Sequence, residues 1–472
     1  MQPSFKLFNS ETQRIEGLEK KPGDTLTMYT CGPTVYNFAH IGNFRTYVFE
    51  DILRRALRYF GYKVSQAMNL TDVDDKTIKG AILTNQSLLD FTKPYKDAFF
   101  KDLKTLNIQP VEVYPEATDH IQEMIDMIQE LLDKKIAYVG SDKSVYFAID
   151  KFPQYGRLSH LDKKTLKAGA SERVQSDEYD KDSISDFVLW KAYDPERDGH
   201  IFWESPFGKG RPGWHIECSA MAIKHLGKTL DIHVGGVDNL FPHHENEIAQ
   251  SEACTGCCFA KHWCHSEHLL VDGKKMSKSL GNFYTLRDLL EKGYTGKEVR
   301  FALLQSHYRM QLNFSLNALD AARSALKRIN SCLENLTTFK PEKHDFFTEA
   351  YFQNNKKIFQ EALADDLNLA ECLALIFNLV KDVNQHLVDG KIGIHDQQHF
   401  IELFKNFDEI LAVMDFETKV DVPEEIQQAL VDRKTARERR DFAEADRLRK
   451  WIESEGYVIE DSPSGPKVKK AL

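Results

Sequence analysis

Thr25-Leu26-Thr27-Met28-Tyr29-Thr30 runs into the turn Cys31-Gly32-Pro33, and Phe44 to Tyr59 follows with apolar residues at helical spacing. The first six residues read as a strand. Val48, Ile52, Leu53 and Leu57, continued by Phe60, fall on one side of the predicted helix. Gly61 stops it, and Tyr62-Lys63-Val64-Ser65-Gln66-Ala67-Met68 starts a second strand. Strand, helix, strand is the unit of a parallel sheet, and loops at the carboxyl ends of such strands hold ligands. An α/β chain is therefore expected, with Cys31 to Asn43 at its business end.

The 472 residues suggest about three domains. Residues 1–115 read as the first half of a parallel-sheet α/β domain. A change near Tyr114-Pro115 opens an insertion, 116–209, with a helix over Asp119–Leu132, strand pairs around Ala137–Ile149 and a charged stretch Lys163–Asp182. Sheet-like sequence returns over 210–262 with Leu230-Asp231-Ile232-His233-Val234-Gly235-Gly236, and a lysine-rich loop region covers 263–320. A helical bundle is expected over 321–420. A small C-terminal α/β domain, 421–472, follows the boundary Asp421-Val422-Pro423.

Apolar residues make up 42% and charged residues 28%, the balance of an ordinary globular chain. No stretch approaches the roughly 18 apolar residues of a membrane helix. Met1-Gln2-Pro3-Ser4-Phe5-Lys6 lacks the apolar run of a secretory signal, so the cytoplasm is expected and no membrane partner. The net charge of −10 argues against indiscriminate coating of nucleic acid but leaves room for a local basic face. The eight cysteines are expected to be reduced, buried or metal-bound.

Two segments suit ATP. His40-Ile41-Gly42-Asn43 lies between strand and helix; Gly42 permits close backbone approach, His40 and Asn43 donate hydrogen bonds, and the helix start favours anions. Gly273-Lys274-Lys275-Met276-Ser277-Lys278-Ser279-Leu280-Gly281 is a cationic loop suited to folding over a triphosphate. Taken singly, the first also reads as a capped turn and the second as a solvated loop. Their co-occurrence in this order resembles the signature pair of class I aminoacyl-tRNA synthetases. That resemblance implies a Rossmann-type catalytic domain in two halves, 1–115 and 210–262, phosphate and adenosine contacts from His40 and Asn43, and stabilisation of the transferring phosphates by Lys275 and Lys278. Asn43 stands where the class motif usually ends in histidine, so this position hydrogen-bonds without a positive charge.

Cys31, Cys218, His243 and Glu247 offer two thiolates, an imidazole and a carboxylate, a donor set that suits zinc. His243 and Glu247 are four apart, on one face of a helix expected to open at Phe241-Pro242. Scattered cysteines are also often small buried hydrophobes. Gly213-Trp214-His215-Ile216-Glu217-Cys218-Ser219-Ala220-Met221 and Phe241-Pro242-His243-His244-Glu245-Asn246-Glu247 are similar to cysteinyl-tRNA synthetases, as are Asn69-Leu70-Thr71-Asp72-Val73-Asp74-Asp75-Lys76 and His307-Tyr308-Arg309-Met310-Gln311-Leu312-Asn313-Phe314-Ser315. The resemblance covers nearly the whole chain. It implies zinc on Cys31, Cys218, His243 and Glu247, magnesium with ATP, L-cysteine and tRNA(Cys) as partners, and a monomer. It also suggests that Trp214 walls the side-chain pocket, Thr71 and Asp75 orient the amino group, and His233 and His244 line the floor. A ligase passing cysteine to a small amine and a non-catalytic RNA-binding derivative are the rivals.

A second group, Cys254, Cys257, Cys258, Cys264, His262 and His265, has Cys-x-x-Cys spacing but is read as buried or incidental thiols. Arg433, Lys434, Arg437, Arg439, Arg440, Arg447, Arg449 and Lys450 crowd one late stretch among acidic residues. They read equally as a solvated charged helix or as contacts to RNA phosphates.

Overall fold

A computed structural model describes residues 3–161, 186–276, 281–416, 423–439, 441–462 and 465–470. The charged stretch Lys163–Asp182, the boundary residues Asp421 and Val422, Lys278 with its flanking serines, and Arg440 lie outside the described residues. Strand β1 (Thr25–Thr30), helix α1 (Ile41–Tyr59) and strand β2 (Lys63–Met68) form the opening unit. Leu26, Met28, Tyr29 and Thr30 of β1 are all buried, so helices cover both faces, as parallel strands require. Helix α1 begins three residues before the apolar spacing indicates. His40 caps it: the Asn43 amide donates to His40 Nδ1 at 3.2 Å, and the His40 amide donates to Asn43 Oδ1 at 3.1 Å.

Helices α2 (Asp75–Thr84) and α3 (Leu88–Thr105) follow. Helix α4 (Ile121–Asp133) then leads into an antiparallel sheet of β3 (Ala137–Val139), β4 (Val145–Phe147), β5 (Phe187–Ala192) and β6 (Gly210–Pro212), paired in that order. Strand β6 pairs Gly210 with Ala192 and Pro212 with Trp190, so this sheet runs three residues beyond 209. It feeds α5 (Trp214–Leu226), β7 (Leu230–Gly236), α6 (Glu245–Thr255) and β8 (Ala260–Ser266), the last crossing 262. The parallel sheet is ordered β8-β7-β1-β2. Its chain leaves β1 towards β2 on one side and returns through β7 on the other. Such a reversal opens a crevice at the carboxyl ends of the two middle strands.

Strands β9 (Leu269–Val271), β10 (Lys274–Lys275) and β11 (Leu312–Phe314) make a small mixed sheet, with α7 (Leu286–Glu291) and α8 (Gly296–Leu304) between β10 and β11. Helices α9 (Leu316–Thr338), α10 (Glu349–Ala364), α11 (Leu369–Val388) and α12 (Ile394–Leu411) follow. The chain divides into two compact units, 1–329 with 341–414 and 330–340 with 415–472. In the second, α13 (Glu424–Glu438), α14 (Phe442–Ser454) and the hairpin of β12 (Tyr457–Ser462) and β13 (Gly465–Lys470) close on Ile426, Leu448, Ile452 and Tyr457. Among the described residues no helix is long and apolar enough to cross a membrane.

Candidate functional site

The carboxyl end of β1 delivers Cys31, α5 delivers Cys218, and β7 delivers His233. His243 and His244 come from the turn before α6, and Glu247 from its first turn. Proline at 242 was expected to open this helix. Instead the backbone kinks at Phe241, which is extended (φ −138°, ψ 133°), and α6 starts at Glu245, which still leaves His243 and Glu247 side by side.

One donor atom each from Cys31, Cys218, His243 and Glu247 lies within 4.8 Å of the others, and Cys31, His233, His244 and Glu247 meet the same limit. All six side chains are buried. Glu247 Oε2 accepts from His233 Nε2 at 2.8 Å. Glu247 Oε1 stands 2.9 Å from His243 Nε2, an ion pair when that ring is protonated, and has no other partner among the described residues. A buried carboxylate must keep such a cationic partner, a protonated imidazole or a metal ion.

The charges point the same way. Burial opposes ionisation of His243, yet Glu247 and Cys218 beside it raise its pKa to about 10. Burial also works against the Glu247 carboxylate, but His233 and His243 bring it down to about 2. Cys218 falls to about 6, chiefly through its hydrogen bond with Cys31, whose own thiol is pushed up by that bond and by burial. A thiolate and a carboxylate therefore gather around one proton, and a metal cation is a natural replacement for it.

Further histidines brace these donors, an arrangement common behind metal ligands. His215 Nδ1 lies 2.8 Å from His243 Nδ1. His244 Nε2 lies 3.3 Å from Cys31 Sγ and its Nδ1 2.8 Å from His265 Nε2, while His265 Nδ1 reaches Ser10 Oγ at 2.7 Å. Sequence reasoning gave His215 no role and placed His265 in the second cysteine group. Their partners are remote in the chain, and the only signal was their position beside quoted motifs.

A cavity of about 410 Å³ opens in the crevice beside this cluster, with Cys31, His40, Gly42, Asn43, Trp214 and Lys275 on its walls. Burial pushes His40 down to about 4, so its imidazole is neutral at pH 7. Its Nδ1 accepts the cap bond, which places the ring proton on Nε2 as a donor. Asn43 Oδ1 is likewise engaged in the cap, leaving its amide hydrogens to donate. Neither residue carries charge here, so positive charge falls to exposed Lys275. A methyl on Gly42 would come within 3.0 Å of the His40 ring and 3.2 Å of Met276 Cε.

Trp214 stacks on His243 with ring centroids 4.2 Å apart, joining the cavity wall to the metal-type cluster. Thr71 and Asp75 do not line the cavity. Thr71 Oγ1 donates to Glu217 Oε2 at 3.0 Å and accepts from Asn69 Nδ2 at 3.1 Å. Asp75 pairs with Lys191 Nζ at 2.8 Å and with Arg211, tying α2 to β5 and β6. Among the described residues no donor set containing Cys254, Cys257, Cys258 or Cys264 converges on an ion. Gly32 is the tightest point of the site, because a Cβ there would lie 1.8 Å from the Asn69 carbonyl oxygen. Gly32→Ala is expected to cost about 2–4 kcal/mol, read as a lower denaturant midpoint; an unchanged midpoint would refute the contact.

The model of the "tRNA synthetases class I (C) catalytic domain" matches residues 18–324, and that of the DALR domain matches 358–415. A cysteine–tRNA ligase from Protochlamydia amoebophila is 54% identical over 467 residues, 99% of this chain and 98% of the relative. One from Chlamydia felis is 53% identical over 98% of this chain and 97% of its own length. The methionyl-tRNA synthetase of Mycobacterium tuberculosis, solved with methionyl-adenylate, superposes with a TM-score of 0.58 over 83% of this chain and 90% of that one; at 15% identity this shows a shared fold. Sheet order, matched catalytic model and near full-length identity agree: the chain belongs to the cysteine–tRNA ligase family of class I tRNA synthetases.

Proposed function

We propose that this chain activates L-cysteine with ATP and transfers it to the terminal ribose of tRNA(Cys), as a cytoplasmic monomer holding one zinc on Cys31, Cys218, His243 and Glu247. The observation that carries this reading is the buried two-thiol, imidazole and carboxylate cluster opening onto a nucleotide-sized cavity. Of the two donor sets, the one with two thiols suits zinc better, and His233 then serves as the brace that orients Glu247. Zinc there supplies a soft Lewis acid that binds a thiolate well and an alcohol poorly, a distinction that pocket shape provides weakly between cysteine and serine.

The residues of the chain position and stabilise charge. The cysteine carboxylate attacks the α-phosphate of ATP, carried with magnesium, and pyrophosphate leaves. His40 Nε2–H and the Asn43 amide donate to phosphate oxygens, while Lys275, with Lys278, offsets the charge that builds on them. A ribose hydroxyl of the tRNA then attacks the adenylate carbonyl, the acyl–phosphate bond breaks, and AMP leaves as the hydroxyl gives up its proton. No side-chain nucleophile is required.

The test is charging of total cellular tRNA by purified protein with ATP, magnesium and labelled cysteine. Acid-precipitable label from cysteine and none from serine is expected. No label from folded, zinc-loaded protein would overturn the reading and favour a small amine acceptor or loss of chemistry. Two further results are expected. Trp214→Ala raises the KM for cysteine about 10-fold and that for ATP much less, because the ring stacks on His243; equal rises would mark a packing role. Truncation after residue 420 abolishes charging and spares cysteine-dependent pyrophosphate exchange; equal loss of both would count against RNA recognition by the second unit.

A further inference from the structure

Between the two cavity-lining stretches Gly32–Thr34 and His40–Asn43, the chain makes a short outward excursion. It is held at its base. The Val35 amide donates to the Thr71 carbonyl at 3.0 Å, the Thr71 amide donates to the Pro33 carbonyl at 3.1 Å, and Val35 itself is buried. At the far end His40 bridges to Thr285, and the Ile41 amide donates to Tyr284 O at 3.0 Å. What this anchored segment presents to solvent is aromatic: Tyr36 is 37% and Phe38 38% exposed.

Each ring has a cation against it. The Lys76 ammonium sits 5.1 Å from the Tyr36 centroid, and the Arg287 guanidinium 4.4 Å from that of Phe38. Arg287 is held in place by Asp102 at 3.0 Å and the Ala98 carbonyl at 3.1 Å, and Tyr95 packs edge-on to Phe38 at 5.3 Å. Neither Tyr36 nor Phe38 lines the cavity. Aromatic rings interleaved with cations are the recognition chemistry of unpaired nucleotides, whose bases stack and whose phosphates pair.

We propose that Tyr36 and Phe38, with Lys76 and Arg287, form a stacking platform for the unpaired 3′ end of the tRNA as it enters the cavity. This rests on the function proposed above. The ribose that accepts the aminoacyl group must reach the cavity, so the nucleotides before it lie across the cavity rim. The platform is continuous with that rim through Thr34 on one side and His40 on the other. It acts in the transfer step alone, since adenylate formation involves only the cavity.

The test compares wild-type protein with Tyr36→Ala/Phe38→Ala in tRNA charging, cysteine-dependent pyrophosphate exchange and binding of intact tRNA and of tRNA trimmed of its unpaired 3′ nucleotides. The double variant is expected to lose about 10- to 100-fold in kcat/KM for tRNA, as loss of base stacking does elsewhere. Pyrophosphate exchange is expected to stay within about twofold of wild type, which also shows that the variant folds. Intact tRNA binds the variant more weakly, whereas trimmed tRNA binds both proteins equally. Tyr36→Phe/Phe38→Tyr, which keeps both rings, restores charging. Equal charging by variant and wild type overturns the platform. So does an equal affinity loss for trimmed tRNA, which would place the rings on another part of the RNA, and so does a matching loss of pyrophosphate exchange. Failure of wild-type protein to charge any tRNA would instead overturn the underlying function.

Discussion

Cys218→Ser is expected to lose zinc at least about 100-fold in affinity, more than loss of an outer-shell partner would cause, and with it about 100- to 1,000-fold in cysteine-dependent pyrophosphate exchange. The reason lies in the ionisation of this thiol. Its hydrogen bond with Cys31 lowers the pKa of Cys218, which favours the thiolate that a metal binds. A serine hydroxyl in its place stays protonated, is a harder donor and cannot reproduce the bond with Cys31. Zinc content of protein purified without added metal is the direct readout, and Cys264→Ser is the control. Cys264 is equally buried, but its sulfur lies 3.7 Å from the Phe8 carbonyl and its thiol is pushed far up by burial, so it should keep full zinc and activity. Retention of one zinc per chain by Cys218→Ser would sink this donor set. The set through His233 and His244 would then take its place, and His244→Ala rather than Cys218→Ser would release the metal.

That ambiguity between sets also marks where sequence reading stops. Cys31, Cys218, His243 and Glu247 were legible because each sits in a distinctive local string, and the structure brings the four together. The strand-helix-strand unit was legible because apolar spacing alone places β1, α1 and β2. The start of α1 was not, since His40 and Asn43 form its cap and the apolar spacing begins only at Phe44. The kink at Phe241 was equally hidden, because the four-residue spacing of His243 and Glu247 looks the same with or without it. The roles of Thr71 and Asp75 need partners from distant parts of the chain, Glu217 for one and Lys191 with Arg211 for the other. Local patterns specify elements and donors; side-chain pairing across more than a hundred residues, as between Asp75 and Arg211, leaves no periodic trace.

Arg300→Met is expected to lower stability by about 3–5 kcal/mol while leaving kcat at 25 °C within about threefold, because this arginine joins several elements far from the chemistry. Its guanidinium is fully buried on α8 and pairs with Asp51 of α1 at 2.6 Å. It also donates to the Leu411 carbonyl at the end of α12 at 2.6 Å and to the Leu106 carbonyl just past α3 at 3.0 Å. Four segments thus share one cation, and methionine fills the space but satisfies none of the acceptors. Asp51 keeps Arg55 at 2.7 Å and the Gln109 amide at 2.9 Å, so the cost is that of lost carbonyl partners together with a less well-compensated carboxylate. Arg300→Lys should recover less than half, since one ammonium cannot follow the separate directions that a planar guanidinium spans. Asp51→Asn/Arg300→Met should cost less than the sum of its single changes, because neither variant group then leaves the other's charge buried. Urea unfolding followed by tryptophan fluorescence checks all three. A shift below about 1 kcal/mol for Arg300→Met would show that the junction tolerates its loss. A fall in kcat at 25 °C beyond about tenfold would show instead that α1, whose first turn carries His40 and Asn43 onto the cavity, is aimed from its far end by this one ion pair.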